Sequence, residues 1–333
     1  MEGVEFMRKS DWQYKNIIDI NRPMDYLCLE ENIAELEDKF CSAGCIGFTG
    51  CIEKRVISKS YLGKNINLIK IGGGVRKAIY IGSHHAMEWM TSLILMRFVE
   101  DFCKSYIFNE KMYGYDPDYI LQTRTFYIVP MLNPDGVDLV INGLEEDNDA
   151  NPVNTIGTRL IQMNGNSKDF SHWQANARGV DLNHNYNADF ELLKEIEIQA
   201  GITEPCATRY GGEYPESEPE TVSLASFIRS DPDIHILAAL HTQGEEIYWR
   251  YKDIIPPKAK ELAYLISKTT GYKLEYPGEA IASYGGCKDW FISTFNRPGF
   301  TIECGKGKNP LPITDFVGIY NNIAEALMLL IMN

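Results

Sequence analysis

Two imidazoles and a carboxylate, His84, His85 and Glu88, crowd the stretch GSHHAMEWM. Side chains three or four apart share one face of a helix or tight turn, so two pairs have the spacing of ligands to one ion: His85 with Glu88, and His84 with Glu88. Spacing alone barely separates them. Imidazole plus carboxylate suits zinc, and a catalytic zinc site takes three protein ligands and leaves a fourth position for water. The third ligand must come from elsewhere in the chain. His241, just after the apolar run IHILAAL, is the natural candidate, whereas His235 lies inside that run and reads as a packed core histidine.

Distant ligands meet only if the fold brings segment ends together. β-like apolar runs at 66–71, 78–82, 125–131, 234–240 and 299–302 alternate with helical patterns. The best-marked helix carries Trp89, Leu93, Met96, Val99 and Cys103 at steps of four and three, a buried stripe. This alternation predicts an α/β domain whose sheet has helices on both faces. Four of the runs end in something chemically notable: HHAME, NPDG at 133–136, His241 and Glu303. In open α/β sheets ligand sites collect outside the carboxyl ends of strands, so these four ends are expected to converge.

Bulk properties narrow the partners. With 46 acidic against 32 basic side chains the net charge is −14, which opposes broad contact with nucleic acid or anionic lipid. The opening MEGVEFMRKSDWQYK lacks the apolar core of a signal peptide, and the late apolar run 326–332 is too short to span a bilayer. The expectation is a soluble, cytoplasmic protein. Its cysteines (28, 41, 45, 51, 103, 206, 287 and 304) contain no CxxC pair and read as reduced thiols packed as small apolar groups, with a metal on Cys41, Cys45 and Cys51 as the alternative. Residues 1–22 show little periodic apolar pattern and read as an N-terminal extension to a catalytic domain of 23–333. The polar stretch 145–154 and the Gly- and Asn-rich sequence after it read as a surface excursion.

Seven segments then occur in one order: SHHAMEWM, VPMLNPDGV, ANARGVDLNHNY, YPESEPET, LHTQGEEIYW, GGCKDWF and FTIECGKG. In order and rough spacing they resemble the zinc metallocarboxypeptidase family, over nearly the whole chain after residue 23. The resemblance implies a single domain with an open, mixed, twisted sheet. It also implies one zinc per chain on His85, Glu88 and His241, which decides against His84. Asp181 resembles the carboxylate that accepts a hydrogen bond from a ligand histidine and fixes its tautomer. Glu303 matches the general base, placed to take a proton from a water whose pKa zinc lowers to about 7.

The chain departs from the family at four places. Where the digestive carboxypeptidases have an arginine that clamps the substrate's terminal carboxylate, in a DxNRN motif, this chain has His184 after Asn183; an imidazole lacks arginine's fixed fork. Gln174 follows Trp173 where the family usually has a cation for the oxyanion. Ile281 occupies the place of the loop tyrosine, with Tyr284 three positions later. Lys288 stands at the base of the specificity pocket, which implies a substrate side chain ending in an anion.

Asn183, His184, Tyr284 and Lys288 are therefore the expected substrate-binding residues, with Glu303 and Gln174 catalytic. The lost arginine, the LNH motif and the KDWF segment resemble the branch that cleaves γ-D-glutamyl bonds to diamino acids. The leading expectation is a peptidase that cuts γ-D-glutamyl-meso-diaminopimelate in cell-wall peptides, with muropeptides as its partners. The alternatives are a carboxypeptidase removing acidic C-terminal residues, a zinc deacylase or amidohydrolase sharing only HxxE and a distant histidine, and a binding module that has lost turnover. The intact ligand set and Glu303 oppose the last.

Overall fold

The structure, a computed structural model, describes residues 16–42, 52–144, 156–275 and 284–333. The strands among them are β1 (Ile52–Lys59), β2 (Asn65–Gly72), β3 (Arg76–Ile81), β4 (Arg124–Val129), β5 (Ile234–His241), β6 (Glu246–Tyr248), β7 (Lys273–Glu275) and β8 (Gly299–Glu303). They form one eight-stranded sheet in the order β1-β2-β4-β3-β5-β8-β6-β7. The centre is parallel, β4 with β3, β3 with β5 and β5 with β8; β1, β2 and β6 pair antiparallel to their inner neighbours, so the sheet is mixed.

The described helices are α1 (Tyr26–Ser42), α2 (Met90–Phe108), α3 (Pro117–Thr123), α4 (Pro134–Asn142), α5 (Ile156–Met163), α6 (Phe190–Gln199), α7 (Pro219–Ser230), α8 (Ala259–Thr270), α9 (Cys287–Phe295) and α10 (Phe316–Met332). Alternation along the strands divides them between two faces. In β3, Ala78 and Tyr80 enter a core shared with α1, α2, α8 and α10, while Ile79 and Ile81 enter a second core shared with α7 and α9. Successive side chains of a strand point to opposite faces, and a strand covered on both reads as an unbroken apolar run, as β5 does. The stripe foreseen from Trp89 to Cys103 is buried throughout, and α2 stops at Asn109, whose left-handed φ of 55° closes the helix.

Two segments sit differently from what the sequence suggests. The stretch Ile313–Met332 is by length and composition long and apolar enough to cross a membrane, longer than the run 326–332, and 56% of its window is buried inside the protein. The end of the stretch read as an extension packs into the domain: Ile18 is buried in the first core, and the Ile17 and Ile18 amides donate to the Glu100 carboxylate at 2.7 and 3.2 Å. Residues 1–15, Cys45, Cys51, the side chain of Cys41 and the stretch 145–154 lie outside the described residues. Cys28, Cys103, Cys206, Cys287 and Cys304 are free thiols.

The topology positions the site. From β3 the chain passes to β4 on one side and later to β5 on the other, so the order reverses between β3 and β5. At such a switch point the loops leaving neighbouring strands diverge and a crevice opens. The HHAME turn and His241 leave the sheet there.

A buried carboxyl outside this crevice gives the fold a pH signature. Glu220 accepts from the Tyr61 amide at 3.1 Å and from Asn176 Nδ2 at 3.3 Å. Burial, helped by Asp135 and Glu218, pushes its pKa up to about 7 from 4.5. The folded state therefore keeps a proton that the unfolded state releases, so this group's contribution is full below pH 4.5 and is lost as pH rises to about 7. The span corresponds to on the order of 3 kcal/mol at most. In urea titrations, Glu220→Gln should lose less stability than wild type between pH 5 and pH 8, and an unchanged difference would place that pH dependence elsewhere.

Candidate active site

The HHAME turn is held by its surroundings. Ser83 adopts a left-handed φ of 47°, and its amide donates to Thr91 Oγ1 at 2.8 Å at the start of α2. The Ala86 and Met87 amides donate to the carbonyls of Gln174 and Trp173 at 3.0 and 3.1 Å. Asn133 locks these segments together: its Nδ2 donates to the His84 and Ala175 carbonyls at 3.1 and 3.0 Å, while its Oδ1 caps α4 through the Gly136 amide at 3.0 Å. A Cβ at Gly136 would stand 2.6 Å from the Ala175 carbonyl oxygen and 2.8 Å from Ala86 Cβ, so only glycine fits. NPDG is thus the joint that fixes the turn. Its asparagine is a positioning residue that the spacing argument had noted without assigning a task.

Three donor groups converge above β3 and β5. Glu88 reaches His85 Nδ1 with Oε1 at 2.8 Å and His241 Nδ1 with Oε2 at 2.9 Å; the two Nδ1 atoms are 3.2 Å apart. All three ligand atoms lie within 4.8 Å of one another. The far side of His85 is also engaged: Nε2 meets Asp181 Oδ1 at 3.1 Å, while Asp181 Oδ2 accepts from the Arg209 amide at 3.1 Å. His84 points away from this group. Its Nε2 meets the Tyr186 hydroxyl at 3.1 Å, and its ring stacks on His241 with centroids 5.4 Å apart. His235 lies at the opposite end of β5, with Nδ1 accepting from the Lys77 amide at 3.1 Å.

The electrostatics follow from burying these groups together. Burial opposes the charge on Glu88, but the His85 and His241 imidazoles outweigh it and hold its carboxyl below the usual range. Asp181 is likewise held low, against burial, chiefly by His85. Burial works against a cation on His85 too, yet the Glu88 and Asp181 carboxylates raise it well above an ordinary imidazole. The protein therefore places a positive group between two carboxylates. Zinc fits the same arrangement: donors about 2.0–2.1 Å from a tetrahedral ion stand about 3.3 Å apart, close to the 3.2 Å between the two Nδ1 atoms.

Glu303 joins this group through strand register. It ends β8 directly opposite His241 on β5, with Glu246 opposite it on β6. Burial first, then the charge of Glu88, pushes its carboxyl well above the usual range.

The remaining expected site residues divide. Gln174 Oε1 accepts from Thr208 Oγ1, which leaves its amide hydrogens as the free end. Asn183 Oδ1 accepts from the Cys287 amide at 3.0 Å. His184 is buried, its Nδ1 has no partner among the described residues, and burial lowers its pKa, so the ring is neutral at pH 7. Tyr284 packs with Phe190 and Leu193 in a small apolar cluster. Lys288 is buried and already paired, its Nζ donating to Asp289 Oδ1 and, at 2.8 Å, to the Arg250 carbonyl. It is not the lone cation that the sequence suggested. Ile281 lies outside the described residues.

A family model described as zinc carboxypeptidase matches residues 49–326. The chain belongs to the zinc carboxypeptidase family. It is 40% identical over 265 residues to gamma-D-glutamyl-L-diamino acid endopeptidase 1 of Lysinibacillus sphaericus, covering 79% of this chain and 63% of that protein. It is 36% identical over 310 residues to the uncharacterized protein YqgT of Bacillus subtilis (strain 168), covering 91% of this chain and 76% of that one. The chain thus spans less than two thirds of the endopeptidase's length. Among solved structures, thrombin activatable fibrinolysis inhibitor matches with a TM-score of 0.69 at 18% identity, covering 98% of this chain and 79% of that one, which shows the shared fold.

Metal-free protein should take up one equivalent of zinc, and competition with a chromophoric chelator measures its affinity. His241→Ala should abolish tight uptake, and Asp181→Asn should weaken it about 10- to 100-fold. Wild-type affinity in His241→Ala would refute the ligand set.

Proposed function

We propose that this protein is a zinc peptidase that hydrolyses the γ-D-glutamyl bond to meso-diaminopimelate in muropeptides, with His85, Glu88 and His241 as the zinc ligands. The observation that carries the reading is the 40% identity, over 79% of the chain, to an endopeptidase named for γ-D-glutamyl-L-diamino acid bonds. The neutral, buried His184 supports it. It cannot clamp a terminal carboxylate as an arginine would, which suits a substrate whose chain continues or ends differently.

Bound zinc would lower the pKa of its water to about 7 and polarise the scissile carbonyl. Glu303 takes the proton from the attacking water and delivers it to the leaving nitrogen; its place opposite His241 in the sheet supports this role. Gln174 turns its amide hydrogens to the developing oxyanion because Thr208 occupies its oxygen. Asp181 fixes the His85 ring through Nε2. Asn183, with its Oδ1 held by Cys287, presents its amide hydrogens to the substrate backbone. Tyr284 contributes a wall through its packing on Phe190 and Leu193.

At the specificity pocket, the Lys288–Asp289 pair refines the reading. A pocket floor carrying both signs complements a side chain ending in both an ammonium and a carboxylate. Diaminopimelate ends in that way; lysine offers only the ammonium and leaves Lys288 without a new partner.

Two measurements test the reading. Glu303→Gln should keep its fold and zinc while kcat falls by about 10²-fold or more, since general base catalysis contributes about 10² to 10⁴. Near-normal turnover in that variant would require another base. Wild type should prefer L-Ala-γ-D-Glu-meso-diaminopimelate over the lysine peptide by about 10-fold or more in kcat/KM, the scale of one charge-assisted hydrogen bond. Lys288→Ala should erase the preference. Equal rates on both peptides, or release of α-linked C-terminal residues alone, would sink the assignment.

A further inference from the structure

The two positions next to the reacting groups that the resemblance would fill with cations are occupied by Gln174 and His184, the latter neutral. Glu88, Asp181 and Glu303 give the site a carboxylate-rich frame. A γ-linked glutamyl peptide brings another carboxylate, because linkage through the side chain leaves the α-carboxylate free beside the scissile bond. Such a group needs a cation that the zinc ligand set does not supply.

The segment 207–210 carries one. Each of its residues is bonded to the site: the Ala207 carbonyl accepts from the Gln174 and Ala175 amides at 2.9 and 3.1 Å, and the Tyr210 carbonyl accepts from the Asp181 amide at 2.7 Å. Between them, Thr208 holds the Gln174 side chain, and the Arg209 amide donates to Asp181 Oδ2 at 3.1 Å. Arg209 has a left-handed φ of 69°, a conformation that costs a side-chain-bearing residue energy and persists where the surroundings dictate it. Its side chain is exposed and has no hydrogen-bond or ion-pair partner among the described residues. Arg209 is also near enough to the buried His184 ring for its charge to add a little to the lowering that burial imposes there.

We propose that Arg209 is the carboxylate-binding residue of this site and that it takes the free α-carboxylate on the acyl side of the scissile bond, which makes it the reader of the γ-linkage. The inference rests on the γ-glutamyl reading above and deepens it. Gln174, placed toward the oxyanion of the scissile carbonyl, is held by Thr208, the neighbour of Arg209. The residue bearing that carbonyl is therefore the one Arg209 meets. The planar fork of a guanidinium grips a carboxylate through two parallel hydrogen bonds, which a lysine ammonium does not reproduce. The backbone bond to Asp181 is independent of the side chain, so substitutions at 209 leave the support of His85 in place.

The test compares kcat/KM for wild type, Arg209→Gln and Arg209→Lys on three peptides: L-Ala-γ-D-Glu-meso-diaminopimelate, its analogue amidated at the D-Glu α-carboxylate, and its analogue amidated at the C-terminus. Arg209→Gln should lose about 10-fold or more on the first and third, mainly through KM, and change little on the α-amide. Arg209→Lys should fall between. Zinc affinity and melting temperature should match wild type in both variants. An equal loss on all three peptides, or no loss on the first, overturns the proposal. A loss that disappears on the C-terminal amide instead assigns Arg209 to the leaving side and also overturns it. The functional reading fails separately, and takes this assignment with it, if wild type cleaves none of the γ-linked peptides while releasing α-linked residues.

Discussion

The Glu88 carboxylate, held between His85 and His241, is the contact on which the rest of the structure depends. A buried carboxylate without compensation costs several kcal/mol, and a buried imidazolium the same. Placed together, and with Asp181 behind His85, each becomes tolerable. That compensation requires β3 and β5 to be adjacent and parallel, with His241 as the last residue of one strand and the HHAME turn just beyond the other. It also requires a turn that cannot drift, which explains why Ser83, Asn133, Gly136 and the Trp173–Gln174 backbone are all bonded to it or packed against it.

Glu303 shows the same economy of charge from the other side. The register that sets it against His241 also sets it against Glu246, and burial with Glu88 nearby raises its carboxyl well above the ordinary range. A dication at the three donors would reverse that balance, since the ion would be the largest local charge. Glu303 and the three zinc-fitting donors are thus electrostatically one unit, although Glu303 and His241 stand 62 residues apart in sequence.

Much of this was legible in the residues. The central strands β3, β4, β5 and β8 are covered on both faces, so each appears as an apolar run, and the stripe on α2 appears at helical period because one side of that helix is wholly interior. β1 was not foreseen because most of its residues are at least partly exposed, and β6 and β7 because three residues are too few to show a period. At the site, spacing left His84 and His85 nearly equivalent; the family resemblance favoured His85, and in the structure the Tyr186 hydroxyl engages His84 while Glu88 and Asp181 engage His85. The pairing of Lys288 with Asp289 was not legible for a geometric reason. Adjacent residues of a helix do not face each other, and only the long lysine stem, turning back in the first turn of α9, brings the two together. Asn133 was noted without a task because its part is played through contacts with segments distant in sequence, the His84 and Ala175 carbonyls.

The placement of these residues also separates what can vary from what cannot. The three zinc-fitting donors and Glu303 stand at strand ends or on a turn fixed by several hydrogen bonds, so a change in the sheet's register would disrupt all four together. Gln174 and Arg209 stand on loops, Asn183 and His184 on a short 3-10 turn (Leu182–His184) and Lys288 at the first turn of α9, where a side chain can be exchanged while the backbone bonds that hold the frame remain. Arg209 illustrates the separation within one residue: its N–H donates to the Asp181 carboxylate, while its side chain is exposed. The neutral His184 and the exposed Arg209, whose side chain has no partner among the described residues, stand on neighbouring segments, where a side chain can change its charge without disturbing the sheet that holds the frame.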